Sequence, residues 1–281
     1  MQSLLLRNAL LRLRKARGLT QEQVARALEW STAKIIRIEG GRTPISRSDL
    51  HVLLLEYGIT DVKQVSSLQQ LARDARQTGW WHSYKDDLSK AFYTYLGYEA
   101  GAETLYEAQN SVIPGLLQTA AYAHAYIRGI GKDEAFTATA VKLRLQRQRQ
   151  HLQRATPLQQ HYVLDEAAVR RRIGACRDRD IMPDQLRHLL ALSRNNSVQI
   201  HVIPFGAGAH PALTGGFTIL EFDGDLGDIL YLEGGRSLSE IVTGDDERIS
   251  DHRSLFAELR EQALSRTESA RLIQSAADTM K

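Results

Sequence analysis

The run STAKIIRIEGGRT, Ser31 to Thr43, sets at helical spacing the side-chain types that can read a nucleic acid. Thr32 and Ala33 are short enough for close approach to base edges and can meet a thymine methyl. Arg37 lies further along the same face, and its planar fork can donate to guanine O6 and N7. Lys34 suits a phosphate or a base edge at the rim. Gly40 and Gly41 let backbone come near a strand, and Arg42 then supplies charge to a phosphate. Gln21 can hand its amide to another phosphate, alongside the free backbone N–H groups of a helix start. Ile36 stands on the same face and reads either as an apolar contact with a thymine methyl or as a source of weak binding.

Those residues need two short helices held at a fixed angle, and the sequence supplies explicit punctuation for them. Leu6, Leu10 and Leu13 recur at helical spacing until Gly18 stops the first helix. Thr20 begins TQEQ, a capping box with Gln23, and Val24, Ala25 and Leu28 form the stripe of the second helix. Ser31 caps a third helix, Thr32 to Glu39, whose inner side is Ile35 and Ile38. Ile45, Leu50, Leu53, Leu54 and Tyr57 mark a fourth, ended by Gly58, and a fifth covers Asp61 to Gln77. A helix of eight residues is roughly 12 Å long, about the width of the DNA major groove. Two short helices joined by a tight turn, the second presenting small and basic side chains, describe a helix-turn-helix.

GLTQEQVARALEWSTAKIIRIEGGRT resembles the helix-turn-helix of the phage-repressor, or xenobiotic-response-element, family of regulators. The resemblance implies phosphate contacts at Gln21 and Arg42, base readers at Thr32, Ala33 and Arg37, and a buried ion pair between Arg14 and Glu39. Glu29 departs from it, standing where many members have a turn glycine. GWWHSYKD, VIPGLLQTAAYAHAYI, VLDEAAVRRRIG and QIHVIPFGAGAHPALTGGFTILEF resemble the C-terminal domain of WhiJ-like regulators. That likeness implies a transcriptional regulator, often encoded beside a small partner in an antitoxin-like arrangement.

Charge is distributed to match. Residues 1–50 hold ten Lys or Arg against four Asp or Glu, while the whole chain of 281 residues nets only +3. A basic head on a mildly acidic body suggests nucleic-acid contact at one end. The single cysteine, Cys176, rules out an intrachain disulfide and is compatible with a reducing cytosol. Leu4 to Leu6 is too short for a secretory leader, and no stretch approaches the ~20 apolar residues of a membrane span. The expected location is cytoplasmic, at the nucleoid when DNA is bound.

The expected fold is α+β and mostly α: a five-helix lambda-repressor-like head over 1–77, an aromatic-rich linker over 78–98, a regulatory body over 99–265 and a polar tail over 266–281. Glu99 to Gln109 reads as helical, and Glu134 to Arg154 as a long helix rich in arginine. Beyond Pro157 the period shortens. LQQHYVLD, SVQIHVIPF and the pair within GGFTILEFDGDLGDILYLEGG read as strands of a small, mainly antiparallel sheet. Asp165–Ile173, Pro183–Arg194 and Asp245–Ala263 read as helices.

No catalytic set emerges, and neither a metal nor a cofactor is expected. Ser31 to Lys34 copies a Ser-x-x-Lys pair but lies inside the reading helix. The nine histidines have no His-x-x-x-His spacing to seat zinc. Asp223 to Asp228 lacks the frame of a calcium loop. Gly206 to Gly216 lacks a following helix to receive a phosphate. Cys176 beside Arg177 and Arg179 reads as inert. Trp80, Trp81 and Tyr84, like Phe92, Tyr93, Tyr95 and Tyr98, read as packing rather than as a ligand wall. Arg144, Arg147, Arg149 and Arg154 read as a solvated face or a docking surface for an acidic partner before an extension of the DNA footprint. These features imply a non-enzymatic, sequence-specific DNA-binding regulator that dimerises through its body and receives a protein or small-molecule signal there. The alternative is an antitoxin-like protein that holds a small partner and regulates its own operon.

Overall fold

The computed structural model describes residues 2–39, 45–74, 79–222, 227–234, 239–244 and 246–280. Their contacts divide them into two units. One runs to Ala102 and takes in the described residues at 222, 227–229 and 243–244; the other holds the remainder.

The first unit contains α1 (Gln2–Ala16), α2 (Gln21–Ala27), α3 (Thr32–Glu39), α4 (Arg47–Glu56), α5 (Val62–Asp74) and, after a 3-10 turn at Trp80–Tyr84, α6 (Lys90–Glu99). Local side chains set the helix starts. Thr20 and Gln23 form the capping box of α2, and Ser46 accepts from the Asp49 amide at the head of α4. The helix ends are equally explicit. At Gly18, Glu29 and Gly58 the chain turns left-handed, with φ of 68°, 54° and 72°. Each time the next amide reaches back to the helix: Leu19 to Arg14 O, Trp30 to Ala25 O and Ile59 to Leu54 O. This is one Schellman ending used three times, and Glu29 occupies it without being glycine. Leu10, Val24, Ile35, Leu50, Leu53 and Leu54 are fully buried in one core, each worth about 1.5–3 kcal/mol. The aromatic segment over 78–98 is counted with this unit: α6 packs on α1, and Asn8 Nδ2 donates to Tyr98 Oη at 3.4 Å.

The second unit is built on a six-stranded sheet. In chain order it runs β1 (Thr104–Gln109), α7 (Ala120–Gly129), α8 (Glu134–Leu152), β2 (Gln159–Asp165), α9 (Glu166–Arg170), α10 (Ile181–Leu192), β3 (Val198–Ile203), β4 (Phe217–Glu221), β5 (Ile229–Leu232), β6 (Glu240–Thr243), α11 (Glu247–Gln262) and α12 (Arg266–Thr279). The strand order is β3-β2-β1-β4-β5-β6. The molecule is thus α+β and mostly α, with a five-helix head preceding the sheet.

Within the sheet β1–β2 and β2–β3 are parallel, while β1–β4 is antiparallel. Helical connections return the chain between the parallel strands, as parallel pairing requires. Thr104–Gln109 is a strand, not the continuation of a helix, because α6 ends at Glu99. Its Leu105, Glu107, Ala108 and Gln109 are all buried, so both faces are covered and no apolar-polar alternation marks it. The tail expected from residue 266 is instead α12, started by a Ser265–Glu268 capping box. Ser269, Ile273, Ala276 and Ala277 are buried where α12 meets α10 and β3. Ser269 Oγ accepts from the Val202 amide at 3.0 Å, closing part of the outer edge of β3.

Candidate nucleic-acid interface

The helix pair α2–α3 carries the predicted reading surface. Ile35, Ile38 and Glu39 of α3 face inward. Ala33, Ile36 and Arg37 are exposed, and Thr32 is half-buried. The spacing 33, 36, 37 puts the three exposed side chains on one wet stripe. Ile36, 46 % exposed, is at its centre. The stripe is therefore a small residue, an aliphatic side chain and a guanidinium. Such a set can meet methyl groups and fork onto a base edge.

A buried carboxylate anchors this stripe. Glu39 is 2 % exposed and takes three donors: Arg14 Nε at 2.7 Å and Tyr57 Oη at 3.0 Å on Oε1, and Gln21 Nε2 at 2.7 Å on Oε2. Arg14 also donates to Leu19 O at 2.7 Å, tying the end of α1 to the entry of α2. The hydrogen bond to Glu39 raises the Arg14 pKa. Burial, then the Glu39 charge, drives the Tyr57 hydroxyl far above its ordinary value, so it stays a donor. The Arg14–Glu39 pair implied by resemblance is present as a contact. Tyr57 is an addition: its spacing marked only an apolar helix face.

Two of the predicted DNA contacts carry internal bonds. One amide hydrogen of Gln21 is committed to Glu39 and the Gln23 backbone amide to Thr20 Oγ1, so a phosphate would draw on the second Gln21 hydrogen and the remaining helix-start amides. Lys34 Nζ sits 2.9 Å from Asp49 Oδ1 and 3.6 Å from the centre of the Trp30 ring. It braces α3 against α4 and the turn, and a phosphate would have to compete with Asp49 for it. Asp49 and Trp30 were not singled out from sequence, since nothing local links them to Lys34. Arg42 lies outside the described residues, as do Gly40 and Gly41. Arg47, at the first turn of α4, is an exposed cation that sequence reasoning left unassigned.

Outside the reading helices the weighed motifs separate. Of Asp223–Asp228, residues 223–226 lie outside the described residues. Gly206–Gly216 folds as 3-10 turns, and its His210 Nε2 lies 2.8 Å from Asp165 Oδ2, both side chains buried. Among the described residues no group of three or more His, Cys, Asp or Glu could hold a metal, and no helix is long and apolar enough to cross a membrane. Cys176 is exposed. Trp81 and Tyr84 are buried, with Trp80 edge-on to both. The arginine row divides: Arg149 is exposed, whereas Arg147 is only 7 % exposed and Arg144 is half-buried, so these two are not part of a solvated face.

Residues 5–64 match the family described as helix-turn-helix domain, and residues 92–275 match the one described as domain of unknown function (DUF5753). No curated protein and no solved structure matches the chain. The second match covers well over half of the sequence, and the first coincides with the geometry of α1 to α5. The protein is therefore a member of the DUF5753 family that carries its family domain behind a helix-turn-helix head, the fold of DNA-binding regulators.

Proposed function

We propose that the protein is a sequence-specific, xenobiotic-response-element-type regulator of transcription, without enzymatic activity, acting in the cytoplasm on double-stranded DNA. One observation carries the reading: the exposed stripe Ala33–Ile36–Arg37 on a helix whose opposite face is locked by Glu39. In this reading Thr32, Ala33 and Arg37 read bases, Ile36 meets a thymine methyl, and Gln21, Lys34 and Arg42 contact phosphates. One short helix reads few base pairs, so the functional species is a homodimer on two half-sites about 34 Å, or a multiple of that, apart. The second unit receives the signal that alters the dimer. The WhiJ-like sequence stretches support a regulatory role for that unit, and a small protein encoded nearby is a second class of signal.

Selection from a pool of random duplexes at low salt tests this directly. The expected result is an enriched motif with two half-sites, bound by a species that light scattering sizes as a dimer. Indifference to every duplex in the pool would end the reading.

A further inference from the structure

Arg144 and Arg147 lie one turn apart on α8 and meet at Gly115. A Cβ on that glycine would stand 3.1 Å from Arg147 Nη1 and 3.5 Å from Arg144 Nε, so both guanidiniums lie against the same backbone. Arg147 is buried and Arg144 half-buried, and two cations held together with part of their water removed repel each other. Burial first, and then the Arg147 charge, bring the Arg144 pKa down to about 10. Among the described residues Arg144 makes one hydrogen bond, from Nη1 to Gln118 Oε1 at 2.5 Å, and no ion pair. The acceptor is neutral. Its orientation is fixed, because Gln118 Nε2 donates to Ile113 O at 2.6 Å.

The surroundings are polar where a sheet face is ordinarily apolar. The pairing register puts Tyr106, Ala108, Val163, Phe217 and Ile219 on the face packed by α11. Glu107 and Gln109 therefore point to the opposite face, and both are buried. Gln109 Nε2 bridges Glu107 at 3.1 Å and Glu233 at 3.0 Å. The charge of Glu233 is felt by Arg144, and the hydroxyls of Tyr122 and Tyr126 are close enough to act on it as well. A charge stripped of part of its water and left short of partners is costly, and an apolar side chain of similar length would fill the space without that cost.

We infer that Arg144 and Arg147 are the anion-holding wall of a small-ligand site in the second unit. The ligand is a small acid, carboxylate or phosphate, that also carries hydrogen-bond donors. The guanidinium pair takes the acidic group. Glu107 and Glu233, at the same place, repel a polyanion and accept donors, which separates this site from a nucleic-acid footprint. Gly115, lacking a Cβ, is the residue that lets both guanidiniums sit against one stretch of backbone. This is where the second unit would take its signal under the proposed function, but the binding itself does not depend on DNA.

The full chain, without DNA, is titrated calorimetrically with malate in one arm and glycerol 3-phosphate in the other, against chloride at equal ionic strength. Saturable binding of at least one probe is expected, weakened at least tenfold by Arg144→Met and unchanged by Arg149→Gln. Should Arg144→Met fail to fold, Arg144→Lys keeps the charge, loses the fork, and is expected to bind several-fold more weakly. The responding arm identifies the acid. Absence of saturable binding in both arms up to about 10 mM, or binding indifferent to the variant that folds, overturns the site. Either outcome leaves the duplex selection to stand or fall by itself.

Discussion

Glu29→Gly is expected to stabilise the head, and the magnitude follows from the turn geometry. Glu29 holds φ at 54° and is exposed, in the same Schellman ending that Gly18 and Gly58 make with glycine. A left-handed conformation costs a residue bearing a Cβ about 1–2 kcal/mol. Glycine returns about 0.4–1 kcal/mol of that through the greater freedom of its unfolded chain. The balance is a gain of about 0.5–1 kcal/mol, or about 3–6 °C for a unit of roughly 100 residues. Tryptophan fluorescence isolates this unit, because Trp30, Trp80 and Trp81 all belong to it and the chain has no other tryptophan. Glu29→Ala removes the carboxylate but keeps the Cβ, so its midpoint should stay near that of the parent protein. A gain in both variants would assign the effect to charge instead. No gain in the glycine variant would refute the argument that this turn stores backbone strain.

The other expectations concern the reading face, its anchor and the sheet. Arg37→Ala should cost about 1–3 kcal/mol on the preferred duplex and relax discrimination at one base pair, whereas Arg42→Ala should weaken all duplexes alike and lower the salt slope by about one; identical behaviour of the two in anisotropy titrations would remove Arg37 from the readers. Glu39→Ala leaves Arg14, Tyr57 and Gln21 without their shared acceptor and should cost about 3–5 kcal/mol in denaturant melts of the tryptophan signal; a loss under 1 kcal/mol would show the cluster to be dispensable. Burial, foremost, depresses the pKa of His201, against a donated backbone bond to Leu264 O and with Arg260, Arg266 and His161 adding to the depression. The folded state then binds fewer protons than the unfolded one, so this stability is complete above the unfolded pKa of about 6.5 and declines as pH falls towards the folded value, by at most about 1.4 kcal/mol per pH unit. His201→Gln should flatten that slope in circular-dichroism melts between about pH 6.5 and 5, and an unaltered slope would reassign it.

What sequence reasoning reached and what it missed divide along the reach of the interactions. The ends of α1, α2 and α4 were legible because a Schellman ending or a capping box is closed by residues five or fewer positions apart. The partners of Glu39 stand 25, 18 and 18 residues away. Only family resemblance supplied Arg14, and spacing gave Tyr57 no polar role. The strand Thr104–Gln109 was hidden for a related reason: its polar side chains, Glu107 and Gln109, are buried against each other and Glu233, 124 residues from Gln109. The polar composition of α12 concealed a helix whose Ser269 closes a sheet edge.

At each of those places a polar residue is buried, and its partners say why it is there. Glu39 has three donors on two oxygens and needs nothing more, which makes it an anchor. Asp165 accepts from the Ala167 amide on Oδ1 and meets His210 on Oδ2, so it too is satisfied within the chain. Arg144 is the contrast. Its guanidinium has five N–H donors, one neutral acceptor among the described residues and another cation beside it. Packing alone would favour a methionine at that position. The imbalance is relieved when an acidic group enters, and the same group then binds a unit joined to the reading helix by a continuous chain.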